Sequence, residues 1–266
     1  MNSITDLPVF TQTSFDSGAL SGLGAVVHRL TQPGEHRVTV LQGEKPIQTF
    51  PMRVTAMPAR PPAPGPHPLP AAGPVELHVD LGRALAAPGR AAALLPEDMA
   101  VVEQGYAVFH APPGSSGLAV QLNAPQAETG APSFDSRKLQ NGDIFAVTLL
   151  RPGRYSLTNS LHSAGAAPTP GGTGVQGEIR VSYPVVGDKP YHPPDPLQVQ
   201  VGEGGFQPNS IQLQPMQGLI FHIGNTAARI QIELVEPDDG PPAGGSPPGG
   251  RKPLFRWERP AAPGPG

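Results

Sequence analysis

The tetrapeptide Ser14-Phe15-Asp16-Ser17 recurs as Ser133-Phe134-Asp135-Ser136, and the register after it holds without a gap. Leu20 falls on Leu139, Val26 on Phe145, Leu30 on Leu149, Pro33-Gly34 on Pro152-Gly153 and Val38 on Leu157. A second unit also repeats: Pro96 falls on Pro208, Met99 on Ile211, Val101 on Leu213, Phe109-His110 on Phe221-His222 and Leu122 on Leu234. Upstream of it, VELHVD at 75–80 echoes LQVQVG at 197–202 with a slightly different offset. With the first unit named B and the second A, the order is B (about 9–57), linker, A (75–125), B (126–185), linker, A (197–236), tail. A chain built this way must pair its units with one another, because a single unit cannot bury its apolar face alone.

Each unit reads as β-structure. Ile230, Ile232 and Leu234 alternate with Arg229, Gln231 and Glu233; Leu219, Phe221 and Ile223 alternate with Ile220, His222 and Gly224. A period of two between turn residues is the signature of a half-buried strand. Pro33-Gly34 and Pro152-Gly153 sit between apolar runs as expected turns. The stretch 81–95 is Ala/Leu-rich, but Pro88-Gly89 splits it, so it holds at most a short helix or two. The chain contains 33 Gly and 37 Pro, enough to raise the question of low complexity. They concentrate in 58–74, 163–177, 186–196 and 237–266, which read as connectors between folded units. Many short strands with frequent turns predict an all-β sandwich protein.

Composition removes several function classes. A net charge of −3 gives no general attraction to nucleic acid or acidic lipid. With no cysteine there is no disulfide, no thiolate metal ligand, no iron–sulfur cluster and no Cys nucleophile. No signal peptide is visible at the N-terminus and no apolar run reaches the ~20 residues of a membrane span, so a soluble chain is expected, its compartment open.

The central B unit resembles the C-terminal part of the cupredoxins, the blue-copper sandwich domains of plastocyanin and azurin type. Leu139, Gly142, Phe145, Pro152, Gly153, Tyr155, Leu157, His162, Gly177, Ile179 and Val181 carry that likeness. Unit A resembles the N-terminal part of the same fold through Phe206, Pro208, Ile211, Leu213, Gly218, Phe221 and Asn225. The resemblance implies two Greek-key β-sandwiches. Because A precedes B in that family, it further implies one continuous sandwich at 75–185. The other is a discontinuous, permuted one, assembled from 1–57 and 197–236. The remainder reads as a Pro-rich linker at 58–74, a linker at 186–196 and a Pro/Gly-rich tail at 237–266.

The resemblance stops at the metal. A blue-copper site needs two His, a Cys thiolate and a weak axial ligand. Asn159 stands where the family has Cys, and His162 is the one retained ligand-like position. No Met lies between His162 and Val181; Val40 and Gly43 replace Cys and His in the first B unit. The first family His has no counterpart: Arg229 and Gly117 lie near its place. No metal and no cofactor is therefore expected.

Catalytic signatures are absent as well. His110 and His222 share a repeat position but fall opposite Phe109 and Phe221, where exposed side chains are expected. His28, His36, His67, His78 and His192 show no metal-ligand spacing. GSSG at 114–117 is not a nucleophile elbow and GGTG at 171–174 lacks the Lys-Ser/Thr of a phosphate loop. Asp238-Asp239 has no structured carboxylate partner. The tail does carry one concentrated segment, in which Arg251, Lys252, Phe255, Arg256, Trp257 and Arg259 are the expected partner-binding residues. Trp and Arg dominate interface hot spots. Leu254, Phe255 and Trp257 have a second reading, as a cover folded back on the chain itself.

The expectation is a non-enzymatic, copper-free cupredoxin-like binding or assembly module that takes a protein partner or self-associates, with no nucleic acid and no membrane span. A monomer is favoured over a head-to-tail oligomer. The alternative is a copper-binding redox or electron-transfer protein, or a non-catalytic oxidoreductase subunit, using a non-blue His site.

Overall fold

The computed structural model describes residues 11–57, 75–82, 99–125, 131–161, 176–182, 192–214 and 216–238. Every element described over its full length is a strand. The first B unit supplies β1 (Ser14–Asp16), β2 (Gly24–Arg29), β3 (Gly34–Gln42) and β4 (Lys45–Thr55). The A unit after it supplies β5 (Glu76–Asp80), β6 (Ala100–Val102), β7 (Tyr106–His110) and β8 (Leu118–Asn123). The second B unit supplies β9 (Phe134–Asp135), β10 (Ile144–Thr148), β11 (Gly153–Asn159) and β12 (Gln176–Val181). The last A unit supplies β13 (Leu197–Gly202), β14 (Gly205–Gln207), β15 (Ser210–Leu213), β16 (Gly218–Ile223) and β17 (Ile230–Pro237). The helix expected around 81–95 falls almost wholly outside the described residues.

Three mixed sheets result. One has seven strands in the order β14-β13-β16-β10-β2-β7-β5; the other two have five each, β6-β4-β3-β8-β9 and β1-β17-β11-β12-β15. The expected alternation is what drives them together. Val38 and Val40 on β3, Met52 and Val54 on β4, and Val120 and Leu122 on β8 are buried, while Arg37, Thr49 and Arg53 face out. The same holds for Tyr155 and Leu157 on β11 against Arg154 and Ser156. The buried positions of all three sheets belong to one apolar cluster. The Pro-Gly turns lead from the seven-stranded sheet to a five-stranded one, so they change layers and close no hairpin. Gly34 and Gly153 hold φ of +132° and +147°, and a Cβ on Gly153 would meet the Glu236 carbonyl oxygen at 2.6 Å.

The units do not combine as the family order implied. The expected partnership of 1–57 with 197–236 is replaced by pairing between sequence neighbours. β2 pairs with β7, β3 with β8 and β4 with β6; β10 pairs with β16, β11 with β17 and β12 with β15. Each B unit thus closes with the A unit that follows it, and 75–185 is not a continuous sandwich. The observed pairing closes across the two linkers at 58–74 and 186–196, whereas the permuted one would have to join 1–57 to 197–236 across the whole centre of the chain, and the entropy of closing a loop rises with its length.

Two short strands break the rule, and they do so reciprocally. β1, from the first B unit, pairs with β17 of the second sandwich; β9, from the second B unit, pairs with β8 of the first. Between the sandwiches β2 and β10 pair antiparallel with Val26 opposite Phe145, the two residues that the sequence repeat makes equivalent. An approximate two-fold axis therefore passes through that pair. One repeat register also needs correction. Val38 faces Leu122 and its equivalent Leu157 faces Ile232, so Leu122 corresponds to Ile232 and not to Leu234. The loop carrying GSSG in the first copy is two residues longer than its counterpart.

Candidate functional site

Asn159, the residue expected in place of the resembled family's Cys, is buried and hydrogen-bonded at the end of β11. Its Oδ1 accepts the backbone N–H of Arg229 at 3.0 Å and of Leu161 at 3.2 Å, and its Nδ2 donates to the Ala227 carbonyl at 3.4 Å. An amide satisfies this set because it carries an acceptor and a donor on one planar group. The equivalent Val40 is a core residue, and Gly43 lies in the β3–β4 turn with φ +61°. His162 lies outside the described residues. So do Arg251, Lys252, Phe255, Arg256, Trp257 and Arg259, along with His67, Asp239 and GGTG at 171–174.

The remaining histidines are dispersed, and among the described residues no group of three or more His, Asp or Glu side chains is placed to hold a metal ion. His28 Nδ1 lies 2.7 Å from the buried Asp143 carboxylate and its ring stacks on Phe134 at 4.6 Å. His36 is buried, and its Nε2 donates to the Gln32 carbonyl at 2.7 Å, which leaves Nδ1 enclosed without a partner. Burial pushes the His36 pKa down; the Gln32 carbonyl opposes this and the nearby His28 adds to it. In the second sandwich the equivalent Tyr155 makes the same bond four residues back, its hydroxyl donating to the Arg151 carbonyl at 2.7 Å. Burial raises the Tyr155 pKa to about 12. GSSG is the expected turn, with Gly114 and Gly117 at positive φ and Ser115 Oγ donating to the Pro112 carbonyl.

The repeated S-F-D-S motif has a structural task that its sequence did not disclose: it is the exchanged strand and its clasp. Phe15 and Phe134 enter the sandwich that receives them, Phe134 stacking on Phe109 with centroids 5.9 Å apart. Ser17 Oγ accepts the buried N–H of Ile230 at 3.1 Å, and Ser136 Oγ accepts that of Val120 at 3.0 Å. Asp16 takes a two-pronged bond from Arg229 (3.0 and 2.9 Å) and one from Gln231. Asp135 takes the same from Arg137 (3.0 and 2.8 Å) and Gln121. For Asp135 burial raises the pKa, but the Arg137 and Gln121 bonds outweigh it and hold the carboxyl below its usual range. The Asp135 bonds conversely raise the Arg137 pKa above its ordinary value.

The seven-stranded sheet shows the feature most open to binding. Its middle four strands turn Val108, Ala25, Val27, Ile144, Ala146 and Ile220 away from the core, all half-buried. Register places them in two antiparallel-related rows, one ending at His110 and the other at His222. A groove of about 420 Å³ crosses this face, walled by Leu23, His110, Thr148, Pro196 and Gly218 around Ala25, Ala146 and Ile220. His222 lies outside the groove lining, and its Nε2 is enclosed without a hydrogen-bond partner. His110 and His222 are therefore half-buried at the corners of an apolar surface, where simple exposure was expected. A comparable groove of about 360 Å³ on β3 and β4 has a mixed lining, with Glu35, Arg37, Thr49 and Asn123 beside Phe50, Pro51, Ala124 and Pro125. The sequence signal for the outer face was present, since Ala25-Val26-Val27 and Ile144-Phe145-Ala146-Val147 are apolar at consecutive positions. No helix among the described residues is long and apolar enough to cross a membrane. No family model, no curated protein and no solved structure matches this chain.

Proposed function

We propose that the chain is a non-catalytic, copper-free module of cupredoxin-like ancestry that binds a protein partner, with Arg251, Lys252, Phe255, Arg256, Trp257 and Arg259 as its docking residues. The observation that supports it best is the state of Asn159. Where a thiolate would donate to copper, an amide spends its donor and acceptor on three backbone groups. Freeing it for a metal would leave buried polar groups unpaired, at about 1–3 kcal/mol each.

Titration with Cu(II), followed by visible absorption and electron paramagnetic resonance, tests the copper-free half of this reading. The expected result is no intense blue charge-transfer band and no stoichiometric bound signal, in the native chain and in Asn159→Cys alike. A tight one-to-one signal in the native chain would overturn it. The binding half is tested by pulldown from the source cells with the native chain and with Arg256→Ala/Trp257→Ala. A partner retained by the first and lost by the second is expected; equal retention would move the docking site elsewhere.

A further inference from the structure

We infer that the apolar outer face of the seven-stranded sheet is the resting site of the chain's own segment 254–257, Leu254-Phe255-Arg256-Trp257. The two five-stranded sheets show what a solvated outer face looks like in this molecule: Arg37, Thr49 and Arg53 on one, Arg154, Glu178 and Arg180 on the other. The seven-stranded sheet departs from that pattern only in its middle four strands, across the two-fold axis.

The size of the patch selects the occupant. Four strands at ~4.8 Å spacing and two to three rows along them give an area of about 200–300 Å². A second copy of the chain would need roughly 800 Å² on each side to associate stably. One or two aromatic side chains bury 150–250 Å² each, about what the patch offers. Leu254, Phe255 and Trp257 are such a set, and Trp257 is the one Trp in the chain. Its indole N–H is a lone donor on an apolar body.

The course of the chain agrees. β17 ends at Pro237, and the N–H of Asp238 donates to the Pro152 carbonyl at 3.2 Å. Pro152 follows Thr148 and Leu149, and Thr148 forms the groove wall with Gly218 opposite it in register. The exposed Met216 sits at this same end, its N–H on the Leu149 carbonyl. The tail therefore leaves the described structure near the mouth of the groove. Residues 239–253 form a Gly/Pro-rich leash of a composition that spans roughly 20–45 Å, against a patch about 19 Å across. A tether of this length holds the segment at an effective concentration in the millimolar range. The choice of 254–257 rests on the reading of that segment as the chain's docking element, and the inference adds where it lies before a partner takes it.

Because the chain has no cysteine, a single engineered one takes a clean label. The full chain carrying Gln198→Cys, at the edge of this face beside Ile220, is labelled with bimane, a fluorophore quenched by Trp on contact. The control label is Thr49→Cys, exposed on the opposite layer. Quenching of about two-fold or more at position 198, constant on dilution, absent at 49 and relieved by Trp257→Phe, is expected. No relief by Trp257→Phe, or equal quenching at both labels, overturns the inference. Quenching that fades on dilution overturns it too, because the occupant would then be the tail of another copy. Failure to find an external partner would leave all of these readings unchanged.

Discussion

Ser17 and Ser136 are small, polar and wholly buried, which is unusual unless a hydroxyl is answering a main-chain group. Each accepts a strand N–H that belongs to the other repeat. Ser17→Ala should leave the Ile230 N–H unpaired and lower stability by about 1–3 kcal/mol in denaturant titration, and Ser136→Ala should do the same at Val120. A loss below a few tenths of a kcal/mol in both would show that the clasp is ornamental. His36 offers a second measurement at this scale. Its folded pKa is lowered chiefly by burial, while the unfolded chain titrates near ~6.5. Between the two values the unfolded state holds more protons. The His36 contribution is therefore complete above pH ~6.5 and is lost as pH falls through that value toward the folded pKa. His36→Tyr places a hydroxyl where Tyr155 has one, and it should flatten the dependence of the urea midpoint between about pH 7.5 and 5.5. An unchanged slope would assign that dependence to another group. Asp135 acts further down the scale. Its lowered pKa makes its contribution complete above the ordinary carboxylate range and removes it as pH falls through the folded value.

At the scale of elements, which strands depend on which follows from the pairing. Removing 197–266 takes away β16, β17 and β15, the partners of β10, β11 and β12. Hydrogen exchange on that truncated chain should show loss of protection at 144–148 and 153–159, with a smaller loss at 36–41 and 119–122, whose own pairing partners remain. Loss at 36–41 with 153–159 intact would restore the permuted arrangement that family order implied. Strand existence was legible because alternation at Tyr155-Ser156-Leu157 or Leu219-Ile220-Phe221 reports a local pleat. Pairing was not, because both A units offer the same apolar face to either B unit. Only the lengths of the connections separate the two choices. The clasp was half-legible: repetition marked Ser14-Phe15-Asp16-Ser17 as special, but its partners Arg229 and Gln231 lie more than two hundred residues away in sequence. The family resemblance singled out Asn159, but not its bonds. Two of its three backbone bonds, to Ala227 and Arg229, reach about seventy residues along the chain and leave no trace in the spacing of residues; the third, from the Leu161 N–H, is local.

For the whole molecule, reciprocal exchange means that neither half is complete without a strand from the other. Thermal unfolding should accordingly be a single transition with equal calorimetric and van't Hoff enthalpies. Phe145→Ala, a fully buried large-to-small change costing about 3–5 kcal/mol, should lower exchange protection at Val120 as well as at Leu157. Two resolved transitions, or an effect confined to the second half, would show that the halves fold independently. The axis pair of Val26 and Phe145 carries a consequence of another sort. In an assembly of two identical chains, any residue on a two-fold axis faces itself, so a Phe there would be crowded and a Val would leave a gap. Within one chain the two positions are separate letters of the gene, and a large side chain can be set against a small one. The clasps show the same freedom: Arg229 reaches over Gly18 in one, whereas Arg137 does the work locally in the other, where Ala119 occupies the place of Arg229. Joining two copies end to end has let each substitution count once, and a surface can change on one side of the axis while its twin is kept.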